Sequence, residues 1–149
     1  VSQAESSGGC IFCAAAGEVA DALTVARTEY AFALLNRYPY TSGHTMVAPY
    51  AHIGDLWDLD AEALVGVMRL AQRVVRALRR VYQPHGFNVG FNLGEAAGAG
   101  ISDHLHLHVV PRWRGDTNFM SVNAEVRVLP EDLGATRVKL RRALEADGG

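Results

Sequence analysis

The chain has only two cysteines in 149 residues, too few for the disulfide framework that staples small secreted domains. No run approaches the roughly 20 apolar residues that a membrane-spanning helix needs. The opening VSQAESSGG is a short polar tail without the charged and apolar regions of a secretory leader. These absences set the expectation of a cytoplasmic protein with no membrane partner. An excess of charge of one sign is also lacking, since the formal net charge is −2 and the pI is near 6.3. That balance argues against a large basic footprint for nucleic acid and leaves room for a local anion site, so small anionic ligands are favoured over duplexes. There is no internal repeat and no low-complexity segment, and 49% hydrophobic with 20% charged residues suits one domain with a substantial core.

What is present is a row of histidines at every second position, His104, His106 and His108, with Leu105, Leu107, Val109 and Val110 in the other slots. The alternation predicts a strand closed by Pro111, with the imidazoles on one face and the aliphatics entering a core. Three uses fit such a row. It binds a metal through neutral imidazole nitrogens, it supplies a nucleophile flanked by partners of tunable charge, or it is simply a polar strand face. Cys10 and Cys13, in Cys-Ile-Phe-Cys, are half a metal site, a redox pair or a coincidence. A redox pair belongs at the head of a helix after a strand, whereas this one follows a polar tail, so a metal is favoured.

The remaining elements follow from periodicity. Ala22 to Arg27 and Tyr30 to Asn36 read as two short strands around a turn at Thr28 and Glu29, and His44 to Pro49 reads as a third, leading to His52. From about Asp60 to Tyr82, Leu64, Val67, Met68, Ala71, Val74, Val75 and Leu78 recur at helical spacing; Asp58 or Asp60 caps this helix, which ends before Pro84. Its Arg69, Arg73, Arg76 and Arg79 form a solvated face. Phe87 to Leu93 reads as a strand, the loop from Gly94 to Asp103 precedes the histidine strand, and Leu133 to Ala146 reads as a short terminal helix. The expected architecture is α+β: about five antiparallel strands, one long helix and a short C-terminal helix, with residues 1–9 a flexible tail and 10–149 one domain. Gly94, Gly98 and Gly100 free backbone amides to converge on an anion, a weak signal alone that gains weight beside three histidines.

These residues resemble the histidine triad (HIT) superfamily of nucleotide hydrolases and transferases. Its signature, His-φ-His-φ-His-φ-φ with φ apolar, stands here as His104-Leu-His106-Leu-His108-Val-Val110. The similarity extends over Phe32 to Pro49, with Asn36, Pro39, Gly43 and His44, then to His52 and to Phe87–Asn92, about residues 10 to 120 in all. The resemblance implies a HIT-like fold in which His106 attacks the α-phosphorus of a nucleotide through Nε2 while a backbone carbonyl holds Nδ1. It implies that His108 binds the α-phosphate or its bridging oxygen and assists the leaving group. It further implies Asn36 at the ribose, Ile11 and Phe12 at a purine, Asn92 and the Gly98, Ala99, Gly100 and Ile101 backbone at the phosphates, Trp113 stacked on a distal adenine, and Arg112 and Arg114 along the polyphosphate. Zinc-bearing branches carry two cysteines, a histidine after the third strand and the first triad histidine. Cys10, Cys13, His52 and His104 match them, implying a closed structural Zn²⁺ site.

One departure stands out. Many relatives carry Ser or Gln four residues before the triad, where this chain has Gly100 followed by Ile101. His44 belongs either near the site or in the core, and His85 reads as a turn residue. The expected function is cleavage of a dinucleoside polyphosphate of the diadenosine tetraphosphate kind at the α-phosphate, yielding AMP or its phosphorolysis product, by a homodimer. The alternatives are a nucleoside phosphoramidate or adenylated-amine hydrolase, and a zinc-containing nucleotide-binding protein without turnover.

Overall fold

The computed structural model describes residues 9–17, 22–99, 104–116 and 131–147. Five strands, β1 (Thr24–Arg27), β2 (Ala31–Leu35), β3 (Thr45–Pro49), β4 (Gly86–Phe91) and β5 (Leu107–Arg112), form one sheet in the order β1-β2-β3-β5-β4. Every neighbouring pair is antiparallel. Among the described residues, three α-helices accompany the sheet: α1 (Ile11–Ala16), α2 (Ala61–Tyr82) and α3 (Leu133–Ala146). The α+β architecture thus agrees with the sequence reading, and α3 has the bounds its periodicity predicts.

The period-two alternation sorts the sheet into two faces. Ala33, Leu35, Val47, Leu107 and Val109 are buried with Val67, Leu70, Ala71, Val74 and Leu78 of α2 and with Leu140 and Leu144 of α3 in one core. The opposite residues, Phe32, Leu34, Met46 and Ala48, bury a second, smaller cluster with Cys10, Phe12 and Ala15 of α1. Helix α2 presents its core stripe at three- and four-residue spacing, begins after Asp60 without a side-chain cap bond, and ends at Gln83 in the left-handed region, φ 50°, just before Pro84.

Three local readings differ from the structure. The first is α1, a stretch to which the sequence reading gives no element: Cys10 occupies the N-cap position, its sulfur accepting from the Cys13 N–H, and three alanines complete the turn. The second is Pro111, which does not close β5. It lies in register with Phe87, and the ladder continues to Arg112, whose carbonyl accepts from the His85 N–H. Adjacent strand residues direct their backbone groups to opposite sides, so the missing N–H of Pro111 faces away from β4, beyond the last β3 pair at Thr45 and Val109. The Pro111 carbonyl on that side accepts from Thr41 Oγ1 at 2.8 Å. The third is the start of the histidine strand. His104 and His106 lie ahead of Leu107, where ladder pairing begins, and that segment is tied down by the Leu105 N–H to the Ile53 carbonyl.

Gly43 fixes the turn that delivers His44. Its φ is +88°, and a Cβ there would lie 2.7 Å from Leu78 Cδ2 and 3.2 Å from the Tyr82 ring, so both the backbone angle and the close approach of α2 require glycine. The expected residues 1–8, Gly100 and Ile101 lie outside the described residues.

Candidate active site and metal centre

The face of the sheet opposite α2 carries two adjoining clusters of titratable side chains. In the first, Cys10 and Cys13 from α1 meet His52, just beyond β3, and His104. Cys10 Sγ lies 3.4 Å from His104 Nδ1, Cys13 Sγ 3.1 Å from His52 Nδ1 and 3.5 Å from His104 Nδ1, and the two imidazole Nδ1 atoms are 3.3 Å apart. All four ligand atoms lie within 4.8 Å of one another. A tetrahedral zinc with bonds of about 2.0 Å to nitrogen and about 2.3 Å to sulfur separates its ligands by roughly 3.3 to 3.8 Å, which these spacings approximate. His104 Nε2 donates to the Pro49 carbonyl at 2.9 Å, so its Nδ1 lone pair faces the cluster. Burial, followed by the hydrogen bond and charge of Cys10, pushes the Cys13 thiol up to about 11 when no cation is present. Metal binding there must therefore displace a proton. The donor set of two sulfurs and two imidazole nitrogens suits Zn²⁺, and it leaves no fifth protein ligand and no open position among the described residues.

The second cluster holds the rest of the triad. His106 is buried, and its Nδ1 donates to the His104 carbonyl at 2.9 Å. In the neutral ring this leaves Nε2 as the lone-pair nitrogen. Burial lowers its affinity for a proton, an effect that the carbonyl bond opposes in part. The His108 ring stands edge-on to His106 with centroids 4.8 Å apart. It too is pushed below its ordinary value, first by burial and then by His106.

His44 completes this group. It is 2% exposed, its Nδ1 accepts from the Tyr40 N–H at 3.4 Å, and its Nε2 lies 3.0 Å from His108 Nδ1. The Tyr40 bond puts the proton of neutral His44 on Nε2, which then donates to His108 Nδ1. His108 in turn keeps its own proton on Nε2. His106 and His108 are thus held in opposite tautomers, one with a bare Nε2 and the other with a protonated one. Sequence spacing left His44 undecided because only the turn at Gly43 sets its direction.

His44 also has a measurable consequence. Burial, then the charges of His108 and His106, lower it from 6.5 to about 4, a difference worth roughly 3 kcal/mol. The folded state binds the proton less well than the unfolded state, so this stability is fully present above pH 6.5 and is lost as pH falls toward 4. Urea midpoints measured at pH 7 and pH 5 are expected to drop more for the wild type than for His44→Gln, which removes the titration; equal drops would contradict the assignment.

A cleft of about 320 Å³ opens beside the triad, lined by Tyr40, His44, Asn88, Asn92 and His108 among others. The structure brings Asn92 to this cleft, with Gly98 and Ala99 in the loop that follows β4. Asn36 turns its carbonyl oxygen to the Tyr38 N–H at 2.9 Å and its amide nitrogen toward His44 and Met46. Ile11 is 48% exposed, whereas Phe12 is completely buried, its ring turned onto His104 and His106 and away from solvent. Trp113 is half-buried, and its backbone N–H donates to Asp116 Oδ2 at 3.1 Å. The Arg112 side chain is occupied within the protein, donating to both Asp116 oxygens and to Asn88. Arg114 is exposed.

The HIT domain family matches residues 18–115. The AP-4-A phosphorylase of Mycobacterium tuberculosis is 45% identical over 117 residues, which cover 78% of this chain and 60% of that protein. The chain therefore spans about 60% of that relative's length. An uncharacterized HIT-like protein of the same species is 34% identical over 135 residues, covering 91% of this chain and 92% of its own. Among solved structures, a Zn-bound histidine triad family protein from Mycobacterium smegmatis superposes with a TM-score of 0.77 at 33% identity, over 95% of this chain and 97% of that one.

Proposed function

The chain belongs to the HIT domain family, and on that footing we propose that it is an enzyme that cleaves a dinucleoside polyphosphate at the α-phosphorus through a covalent nucleotidyl-histidine on His106. The observation that carries this reading is the placement of the two imidazoles: His106 Nδ1 lies 2.9 Å from the His104 carbonyl and His108 Nδ1 lies 3.0 Å from His44 Nε2. His106 Nδ1 is committed to the His104 carbonyl, which aims the lone pair of Nε2 at an electrophile, while the His44 bond leaves a proton on His108 Nε2 for the departing phosphate oxygen. The likeness to the AP-4-A phosphorylase supports diadenosine tetraphosphate as the first substrate to try.

In the proposed sequence, Nε2 of His106 bonds to the α-phosphorus as the bond to the bridging oxygen breaks, and ATP leaves with the His108 proton. Water or inorganic phosphate then displaces the nucleotidyl group from His106, giving AMP or ADP. Asn92 and the backbone at Gly98, Ala99, Gly100 and Ile101 hold the phosphates, Asn36 and Ile11 contact the nucleoside, and Trp113 faces the distal base. Phe12, read from the sequence as a base contact, has no exposed surface to offer one. Cys10, Cys13, His52 and His104 would hold a zinc, which would supply structural rigidity by tying α1 to the catalytic segment.

The remaining proposals are a cytoplasmic location, no nucleic-acid partner and a homodimer. Support for the dimer is the edge of β4, which pairs with no further strand among the described residues and where Asn88, Val89 and Gly90 are exposed, Val89 by 46%. Incubation with diadenosine tetraphosphate tests the function. ATP with ADP is expected when phosphate is present and ATP with AMP when it is absent. Turnover of an adenosine phosphoramidate alone would favour amine release as the reaction, and binding without turnover of either compound would contradict the enzyme reading.

A further inference from the structure

Phe12 sits between the two cysteines of the metal cluster, and its ring reaches out of α1 to the triad. Its centroid lies 4.5 Å from that of His106 with 24° between the planes, and 5.2 Å from that of His104 at 32°. The first contact is a stacked arrangement on the very ring whose Nδ1 is held by a backbone carbonyl. One hydrogen bond fixes a single edge of an imidazole and leaves rotation about that edge soft. A second ring packed flat on its face removes this freedom.

The helix that carries Phe12 is gripped at both ends. At its start, Cys10 and Cys13 join His52 and His104 in the metal cluster. At its end, the Arg27 guanidinium of β1 donates to the carbonyls of Ala15, Ala16 and Gly17, at 3.1 Å for Ala16 and 2.6 Å for Gly17. A six-residue helix has little stability of its own, so its placement depends on these grips and on burying Phe12 and Ala15.

We propose that Phe12 is a positioning residue: α1, clamped by the metal cluster and by Arg27, uses the Phe12 ring as a stop that sets the plane of the His106 imidazole. This rests on the reading of His106 as nucleophile, but its geometric half does not. The metal cluster thereby governs nucleophile orientation through a buried side chain that is not itself a metal ligand. Loss of the clip lets α1 shift and the stop withdraw.

The test uses the full chain loaded with zinc and compares the wild type with Phe12→Leu, which keeps an apolar side chain but removes the ring. The ring protons of His106, followed by NMR, are expected to lose the upfield ring-current displacement in Phe12→Leu. Removing zinc with a chelator is expected to move them in the same direction in the wild type and much less in Phe12→Leu. In turnover, kcat is expected to fall roughly ten- to a hundredfold with KM nearly unchanged. His106 signals that are insensitive to both changes would overturn the proposal, as would a raised KM with kcat intact, which would mark Phe12 as a base contact. Should Phe12→Leu not fold, the chelator experiment on the wild type decides, with unmoved His106 signals overturning the proposal. Absence of turnover in the wild type would contradict the enzyme reading and leave the NMR result standing.

Discussion

Replacing His106 with alanine is expected to reduce turnover by at least ~10⁴-fold while nucleotide binding stays within a few-fold of the wild type. The nucleophile contributes mainly as its bond to phosphorus forms, so removing it raises the barrier without removing the contacts that hold the substrate. His108→Ala is expected to cost less, on the order of 10² to 10⁴, because a leaving phosphate can depart without a donated proton, though slowly. The order of the two effects matters as much as their size. Steady-state rates with diadenosine tetraphosphate, together with isothermal titration using a non-cleavable analogue, measure both quantities. Residual turnover in His106→Ala above that of His108→Ala would remove the nucleophile from that position.

The second large effect concerns the metal centre. In Cys10→Ser/Cys13→Ser, zinc per chain is expected to fall from about one to near zero, since a hydroxyl is a poor ligand where thiolate binds Zn²⁺. The sheet and its α2 core do not depend on that site, so the domain is expected to remain folded. What is lost is the docking of α1, which buries Phe12 and Ala15 completely. That burial is worth about 3 kcal/mol, and for a domain of this size it lowers the thermal midpoint by about 10 °C. Elemental analysis and thermal unfolding of the purified variant measure the two effects. A wild-type protein purified without chelator that contains no zinc, or a double variant with unchanged stability, would show that the four side chains meet for another reason.

Much of this was legible in the sequence because period and punctuation are local. The α2 stripe, the α3 bounds and the alternation around Leu107 and Val109 need only side-chain spacing, and the structure places Val67, Ala71, Val74 and Leu78 with Leu107 and Val109 in one core, while Met68 of the same stripe is exposed. The metal ligands are legible because all four occupy positions that the resemblance singles out, although Cys10 and His104 are 94 residues apart. The misses arise where distant contacts override a local signal. Pro111 reads as a strand stop, yet its lost N–H costs nothing where β3 has already ended. α1 is too short to announce itself by period and is held by Arg27 and the cysteines. Phe12 was read as a base contact because an apolar residue at a family's nucleoside end suggests one; its burial against His106 depends on how α1 docks. His44 points at His108 only because Gly43 adopts a positive φ, and no spacing rule gives that direction.

The most direct measurement is mass spectrometry of protein quenched in acid-free conditions during turnover of diadenosine tetraphosphate, with the adduct mapped by proteolysis. The expected result is one adenylyl group on the peptide that contains the triad, localised to His106 and absent from His106→Ala. Substrate consumed at the full rate with no nucleotidyl adduct on His106 at any time point would contradict the covalent mechanism.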